Sequence, residues 1–260
     1  MAFISAHKPV DGRTGVTTAA AIRNSAWSSP DYIEFDVQRC ADGVFVIHHD
    51  SEYMVNGHKV RVDAVDSDTF LSELPGAITY AEALETVKEL GARAHIDFKF
   101  TSPWRLYEDC ESTYEVQAVK MALDVFGAED VIITTMEDES VKAVREWSRV
   151  AVPELLVGLS LGRGREGRSY LAHALLRRTE LFPSKRFDRC DANLVVANHK
   201  LAALTLHRFA RRRGLPLLVW TVDNSTLLRW WTNRKNVFLV TSNYPFLATA
   251  MHDTKKLTKE

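Results

Sequence analysis

Eight short runs of β-branched or apolar residues alternate with longer amphipathic stretches along almost the whole 260-residue chain. This alternation is typical of repeated βα units and not of separate helical and sheet regions. The predicted strands are Phe3–Ala6, Tyr32–Val37, Ala94–Lys99, Val131–Thr135, Leu155–Leu159, Leu194–Ala197, Leu217–Val222 and Val237–Thr241. The predicted helices include Tyr80–Leu90, Glu115–Phe126, Glu139–Arg149, His199–Arg213 and Ser225–Thr232.

Eight parallel strands with crossover helices in about 250 residues are the count of a (β/α)8 TIM barrel. A doubly wound open sheet is the alternative, but no Gly-rich phosphate loop follows the first predicted strand. We therefore expect a single barrel domain over residues 1–252, followed by a polar tail over residues 253–260.

Composition excludes a disordered, a collagen-like and a coiled-coil protein. With 46% hydrophobic and 26% charged residues the chain has globular composition, and its three distant cysteines favour neither a disulfide framework nor a zinc site. It lacks a run of about 18 apolar residues, and its start lacks the regions of a signal peptide. We expect a soluble cytoplasmic protein without a transmembrane segment.

The formal net charge of −1 hides an uneven distribution. Residues 163–213 contain 13 Lys and Arg against 4 Asp and Glu, a local balance of +9. The simplest interpretation is a set of solvated basic helix faces. Aromatic residues that could stack on bases are sparse there, so nucleic-acid binding is not expected. The basic region is, however, compatible with an anionic substrate.

One element interrupts the alternation. Asp42-Gly43 is a strong hairpin signal, and an apolar run ending in His48-His49 follows it directly. If Asp42-Gly43 is the two-residue loop, Asp36 lies opposite His49 and both share a face at the barrel mouth.

Two acidic residues stand in an otherwise apolar predicted strand. Glu34 and Asp36 are two positions apart, so their side chains point the same way. Such carboxylates would repel each other in an apolar setting unless a hard cation with oxygen ligands, Mg²⁺ or Ca²⁺, compensates them. The alternative is an edge strand whose acids face solvent.

A second strand end carries charged residues. Asp97 and Lys99 share a face at the carboxyl end of their strand, where barrel enzymes keep their chemistry. Asp97 can supply a third carboxylate to the cation, and Lys99 a positive charge for phosphate oxygens. An Asp97–Lys99 ion pair is the alternative, and His95, earlier in the strand, is expected to be a hydrogen-bonded core residue.

Histidines at two strand ends complete the candidate site. His7 follows the first predicted strand, and His49 ends the returning arm of the hairpin. Beside an acidic metal cluster they fit a general acid and a general base on opposite sides of a phosphorus centre. His48 points to the other face, and the acid-rich ligand set disfavours zinc.

Six motifs resemble, in order and spacing, those of the glycerophosphodiester phosphodiesterase family, and they cover nearly the whole chain. They are Ala6-His7-Lys8, Ile33-Glu34-Phe35-Asp36-Val37, Asp42-Gly43 through His49-Asp50, Ile96-Asp97-Phe98-Lys99, Val219-Trp220-Thr221-Val222-Asp223 and Thr241-Ser242-Asn243-Tyr244-Pro245. Each motif alone is weak, but six in register are specific.

The resemblance implies a TIM-type barrel of the phosphatidylinositol-phosphodiesterase type. It implies a divalent cation held by Glu34, Asp36 and Asp97 and a catalytic pair, His7 and His49.

The resemblance also implies roles at the edge of the site. Lys8 and Lys99 would contact phosphate, and Trp220 would form an apolar wall for the glycerol. Residues 51–75 would correspond to the family's small insertion above the barrel.

Several positions depart from the family's pattern. Lys8 stands where the family has Arg, and Lys lacks the bidentate fork that suits phosphate. Asp97 replaces the usual Glu, Gly15-Val16-Thr17-Thr18 replaces Pro-Glu-Asn-Thr, and the Arg-Thr-Thr segment after His-Asp is replaced by residues 53–57. The terminal Thr-Asp is Thr241-Ser242. The metal and histidine core is thus retained, whereas the phosphate and substrate periphery is altered.

Together with the predicted acidic cluster and histidine pair, the resemblance implies a metal-dependent phosphodiesterase that hydrolyses glycerophosphodiesters to glycerol 3-phosphate and an alcohol. One alternative is a lysophospholipase D or sphingomyelinase-D-like enzyme, in which the basic region over residues 163–213 would make peripheral membrane contact. Another is a catalytically silent barrel that binds a phosphodiester.

Overall fold

The computed structural model describes residues 1–165 and 167–247. The predicted polar tail, residues 253–260, lies outside the described residues, as do the last residues of the expected barrel domain. No helix among the described residues has the length and apolar character needed to cross a bilayer.

Eleven strands occur in the described residues. They are β1 (Phe3–Ala6), β2 (Tyr32–Arg39), β3 (Phe45–Ile47), β4 (Glu52–Val55), β5 (His58–Arg61), β6 (Arg93–Phe98), β7 (Val131–Thr135), β8 (Leu156–Leu161), β9 (Leu194–Asn198), β10 (Leu217–Trp220) and β11 (Val237–Ser242). Eight of them, β1, β2 and β6 to β11, pair in parallel, and β1 pairs with both β2 and β11. The sheet therefore closes into the predicted (β/α)8 barrel.

Helices connect the barrel strands. They are α1 (Ala19–Ser25), α2 (Ser67–Glu73), α3 (Tyr80–Glu89), α4 (Tyr114–Val125), α5 (Asp138–Ala151), α6 (Tyr170–Leu181), α7 (Ser184–Cys190), α8 (His199–Leu201), α9 (His207–Arg213) and α10 (Ser225–Thr232). Residues 202–206 form a π-helical segment between α8 and α9, within the stretch predicted as one helix.

Side-chain alternation on the strands divides the core into two parts. Outward-facing residues such as Ile33, Phe35 and Ile96 are buried among the helices, and each contributes about 1.5–3 kcal/mol of hydrophobic stabilisation. Inside the barrel, one end is closed by a smaller apolar cluster of Tyr32, Ile132, Leu194, Val196, Leu218 and Leu239. Every second side chain of β2 points into the barrel. Glu34 and Asp36 therefore point inward like Tyr32 and lie progressively closer to the open mouth.

The hairpin after β2 forms at the predicted place but with a different register. Gln38 lies opposite Val46, and Cys40 pairs with Val44, so the loop has three residues. Gly43 has φ +93°, the conformation that completes a type I turn with a bulge in such loops. The expectation that Asp36 lies opposite His49 is therefore wrong by one residue, and the Asp36 carbonyl accepts from the His48 backbone N–H instead.

Most strand predictions hold to within one or two residues at each end. The largest differences are β2 and β8, which run two residues past the predicted ends at Val37 and Leu159, and β10, which stops at Trp220. Residues 51–75 contain the β4–β5 hairpin and α2. Tyr53, Val62 and Phe70 from this segment pack with Cys40 and Val46 in an apolar cluster of their own.

Candidate active site

Three carboxylates meet inside the barrel near its mouth. Asp36 on β2 and Asp97 on β6 are register partners, and Glu34 lies two residues before Asp36 on the same face. All three are buried, and one oxygen from each lies within 4.8 Å of the others. The structure thus brings together the three predicted metal ligands and excludes a solvent-facing edge strand for Glu34 and Asp36.

Lys99 lies against this cluster. Its Nζ is 3.1 Å from Asp36 Oδ1 and contacts Asp97 Oδ2. Burial alone would lower the pKa of Lys99, but the charges of Asp97 and Asp36 outweigh burial and raise it. Burial acts in the opposite direction on Asp97, and the adjacent Lys99 charge leaves the pKa of Asp97 below its ordinary value. The ion pair considered from sequence is therefore present within the cluster.

Glu34 is the least compensated of the three acids. Its Oε2 accepts the Lys8 backbone N–H at 2.7 Å, and that residue adopts φ +22°. Burial, followed by the charges of Asp36 and Asp97, raises the pKa of Glu34 well above its ordinary value.

The donor set fits a hard divalent cation. With all acids ionised, three carboxylates against one lysine leave a local charge of −2. Oxygen ligands of this kind suit Mg²⁺ or Ca²⁺, whereas the cluster itself contains no sulfur or imidazole ligand.

His7 lies at the carboxyl end of β1 and is held by two further side chains. Its Nδ1 is 2.8 Å from Asn243 Oδ1, and Asn243 Nδ2 donates to Asp223 Oδ2 at 2.7 Å. Because the amide nitrogen of Asn243 donates to Asp223, its amide oxygen faces the imidazole and accepts from Nδ1–H. These hydrogen bonds leave the free lone pair of a neutral His7 on Nε2. Burial lowers the pKa of His7, partly opposed by the Asn243 hydrogen bond.

His49 follows β3, the strand that pairs with β2, and lines the same pocket as His7. Its Nδ1 is 2.7 Å from Asp50 Oδ1, and that hydrogen bond lowers the pKa of Asp50. His48 points away, with its ring edge-on to Tyr53 and Phe70. The two predicted catalytic histidines thus reach one pocket although the hairpin register differs, because β3 ends at Ile47 and strict alternation ends with it.

A pocket of about 90 Å³ contains these groups. Besides the three carboxylates, Lys99, His7 and His49, its wall includes His95, Thr134, Met136, Ser160, Val196, Trp220 and Thr241. His95 is buried and lies 3.3 Å from both Ser5 Oγ and Thr134 Oγ1, as expected for a hydrogen-bonded core histidine.

Two polar atoms in the pocket wall have no hydrogen-bond partner among the described residues. They are Trp220 Nε1 and Thr241 Oγ1, and both are buried. Trp220, for which the resemblance implies an apolar wall beside the glycerol, lines the pocket, and its indole N–H is a donor without an acceptor among the described residues. Lys8 is placed differently: its backbone supports Glu34, and its side chain is not part of the pocket wall.

Sequence reasoning missed the groups that orient the histidines. Asn243, Asp223 and Asp50 all lie in motifs that carry the family resemblance, but no role followed from the motifs alone. Asp50 adjoins His49 in sequence, a signal that was available. The Asn243–Asp223 contact joins the ends of β11 and β10, and its effect on His7 is a three-dimensional property.

A wider cavity of about 650 Å³ adjoins the pocket and shares Met136 and Ser160 with it. Apolar Trp104 and Leu176 line it together with paired charges. Arg163 is 2.5 Å from Glu137, and Arg186 is 2.5 Å from Asp138. Space for a larger substituent therefore continues from the mouth.

Solved structures with this fold include several phosphodiesterases. A glycerophosphodiester phosphodiesterase from Parabacteroides distasonis has a TM-score of 0.70 at 16% identity, with 98% of each chain covered. An Oleispira antarctica phosphodiesterase, solved with its product sn-glycerol-3-phosphate, has a TM-score of 0.71 at 15% identity, with 96% of each chain covered. A glycerophosphodiester phosphodiesterase from Agrobacterium tumefaciens has a TM-score of 0.66 at 18% identity, with 96% of this chain and 100% of that chain covered.

At these identities the structural comparison shows the fold alone, and comparison with curated proteins gives no match. The family model is the more specific finding. The model of the glycerophosphoryl diester phosphodiesterase family matches residues 16–245, most of the chain. The chain therefore belongs to the glycerophosphoryl diester phosphodiesterase family, a family of phosphoric diester hydrolases.

Proposed function

We propose that this protein is a metal-dependent phosphodiesterase that converts glycerophosphodiesters to glycerol 3-phosphate and an alcohol. The observation that supports this most is the single pocket that combines three buried carboxylates, one lysine and two separately oriented histidines. Hydrolysis of a phosphodiester needs positive charge beside the phosphate oxygens, a base for the nucleophile and an acid for the leaving group, and these residues can supply each of them.

Glu34, Asp36 and Asp97 are the proposed ligands of Mg²⁺ or Ca²⁺. When bound, the cation supplies Lewis-acid polarisation of a phosphodiester oxygen. The raised pKa of Glu34 supports this assignment, because burial and then the charges of Asp36 and Asp97 disfavour its ionised form, and Lys99 offsets them only in part. Lys99 already lies beside the other two acids and offsets negative charge that develops on phosphorus.

His7 is the proposed general base. The Asn243–Asp223 chain holds its proton on Nδ1, so Nε2 can accept a proton from the attacking hydroxyl. The lowered pKa of His7 keeps the imidazole neutral down to lower pH, as a base requires. The attacking hydroxyl is that of water, or the neighbouring glycerol hydroxyl in a route through a cyclic phosphate that water then opens.

His49 is the proposed general acid. The carboxylate of Asp50 at 2.7 Å offsets the positive charge of a protonated His49. As the bond from phosphorus to the leaving oxygen breaks, His49 Nε2 donates its proton to that oxygen, and the alcohol departs neutral. Each histidine then contributes about 10²–10⁴-fold to the rate.

Trp220 and Thr241 are the proposed contacts for the glycerol. Their unpartnered Nε1 and Oγ1 atoms are available to glycerol hydroxyl or phosphate oxygens, and the Trp220 ring covers the apolar edge. A contact from the Lys8 side chain to phosphate stays a prediction from the resemblance.

The test is a release assay on glycerophosphocholine with Mg²⁺ or Ca²⁺, comparing wild type with His7→Ala and His49→Ala. Phosphorus NMR identifies glycerol 3-phosphate and any cyclic phosphate. We expect loss of turnover in both variants, and full activity in either one contradicts the proposed pair. Phosphodiester binding by the wild type without turnover would instead identify a silent barrel.

A second candidate, lysophospholipase D activity, is favoured by the adjoining cavity. Its volume of about 650 Å³ greatly exceeds that of the catalytic pocket, and Trp104, Met136 and Leu176 give it apolar wall area. Choline release from lysophosphatidylcholine, compared with glycerophosphocholine under the same conditions, distinguishes the two. A larger kcat/KM on the lysolipid supports the second candidate.

A further inference from the structure

Helix α6 exposes apolar side chains on one side. Tyr170 is 78% exposed, Leu171 71% and Leu175 55%, and Phe182, just after the helix, is 70% exposed. Leu171 and Leu175 are four residues apart, and Arg178 follows one turn later on the same face. The opposite side of α6 faces the protein, where Leu176 and Thr179 line the cavity beside the catalytic pocket.

The segment of residues 202–206 packs beside α6. The π-helical turn between α8 and α9 carries Leu204, which is 66% exposed. Lys200 and Arg208, each four residues from Leu204, are also exposed. We refer to Tyr170, Leu171, Leu175, Arg178, Leu204 and Arg208 as the α6 face.

Positive charge surrounds these apolar side chains. The guanidinium of Arg165 lies 3.9 Å from the Tyr170 ring centroid. Arg178 and Arg208 form no ion pair with any described residue. Glu180 is the single acid of α6, and it is buried, bound by Arg177 and by the backbone N–H of Gly162.

Acidic residues are equally scarce beside α6. Residues 199–213, which contain α8 and α9, include no Asp or Glu at all. Exposed aromatic and aliphatic side chains framed by cations are typical of surfaces that lie in the headgroup region of anionic membranes.

We propose that the α6 face docks on a membrane surface rich in anionic phospholipid. The leucines and Tyr170 would enter the headgroup region, and the arginines would pair with lipid phosphates. Because the opposite side of α6 lines the adjoining cavity, docking would bring that cavity to within one helix diameter, roughly 10 Å, of the lipid headgroups. Only this last consequence rests on the proposed function, since docking itself requires no turnover.

Vesicle cosedimentation tests the inference with the full-length protein. The probes are vesicles of phosphatidylcholine alone and vesicles that also contain phosphatidylglycerol. Wild type should bind the anionic vesicles, with an affinity that falls as salt rises. Leu171→Glu/Leu175→Glu should weaken binding at least about tenfold, and Arg178→Glu/Arg208→Glu by at least about fivefold per cation.

Val150→Glu is the matched control, because Val150 is 88% exposed and lies on α5, outside the α6 face. It should bind anionic vesicles like wild type. Circular dichroism and the melting temperature should be unchanged in all variants, which checks that each one folds without relying on turnover.

Equal binding to both vesicle types, no binding, or full binding by the leucine variant would overturn the inference. A dimer that dissociates in the leucine variant, without vesicle binding by wild type, would assign the face to contact between copies instead. Vesicle binding together with an inactive wild type would contradict the proposed function and leave the docking surface supported.

Discussion

The Asn243 amide gives the sharpest test of the histidine assignment because it touches His7 without lining the pocket. Asn243→Ala removes the acceptor that lies 2.8 Å from His7 Nδ1. The imidazole then loses both its orientation and the bias that leaves Nε2 unprotonated. We expect kcat to fall while KM changes little, because the variant removes no contact to the bound phosphodiester.

The magnitude follows from two contributions. A hydrogen bond of this kind contributes about 1 kcal/mol, roughly fivefold in rate. Loss of the correct tautomer adds to this, and the whole contribution of a general base, about 10²–10⁴-fold, sets the upper limit. We therefore expect a decrease in kcat of about 10- to 100-fold.

A reversed pair separates positioning from simple structural damage. Asn243→Asp alone places a second carboxylate where Asn243 Nδ2 now donates to Asp223 at 2.7 Å, and this repulsion should impair the enzyme. In Asn243→Asp/Asp223→Asn the amide again donates to the carboxylate, and the carboxylate now at position 243 accepts from His7 Nδ1. Activity should recover at least in part.

The reversed pair also has a defined pH signature. In the wild type the pKa of His7 is lowered, so the base stays neutral to lower pH. A carboxylate at position 243 raises that pKa, so the acidic limb of kcat/KM should move to higher pH in the double variant. The assay is glycerol 3-phosphate release across the pH range. Unchanged kcat in Asn243→Ala, or a double variant with an unshifted acidic limb, would refute His7 as the base.

Three further predictions concern the cluster and the barrel. The pKa of Glu34 is higher in the folded protein than in the unfolded chain. Its ionisation therefore lowers the stability of the fold above the unfolded pKa, and this loss grows as the pH rises toward the folded pKa. Glu34→Gln should accordingly raise Tm in EDTA at neutral pH. Added Mg²⁺ or Ca²⁺ at about a hundred times Kd should stabilise the wild type by about 2.7 kcal/mol and the variant much less, as calorimetry would show. Lys99→Met should lower kcat about 10²–10³-fold, because it removes a positive charge beside the phosphate. The same variant should bind the cation more tightly in a titration, because Lys99 pairs with two of the carboxylates. Weaker cation binding would contradict the assignment of these carboxylates as metal ligands. Gly158→Ala should lower the free energy of unfolding by about 1–3 kcal/mol, because the new Cβ would lie 2.4 Å from Val196 Cγ2 inside the barrel. An unchanged midpoint in chemical denaturation would show that the side chains around Val196 can rearrange without cost.

The barrel was predictable because its strands are apolar runs whose period and number survive in the sequence. The acidic cluster was predictable for a related reason. Glu34 and Asp36 share a strand face by alternation alone, and Asp97 stands at a similar height on the strand that turns out to be the neighbour of β2. The sequence could not show that β2 and β6 are register partners, but closure of the barrel requires adjacency of this kind.

The hairpin shows where local rules fail. Asp42-Gly43 predicts a two-residue loop, whereas Gly43 completes a three-residue loop with a bulge and shifts the register by one. His49 still reaches the pocket because the strand ends before it. The supports of His7 were not predictable at all, since Asp223 and Asn243 are placed together only by the pairing of β10 with β11.

The most direct test of the central claim is metal-dependent hydrolysis of glycerophosphocholine at the acidic cluster. Protein stripped with EDTA should release no glycerol 3-phosphate, and added Mg²⁺ or Ca²⁺ should restore release in the wild type. In Glu34→Gln, where the cluster has one carboxylate fewer, the same addition should restore little. Turnover that persists in EDTA, or equal restoration in the variant, would contradict a catalytic cation held by Glu34, Asp36 and Asp97.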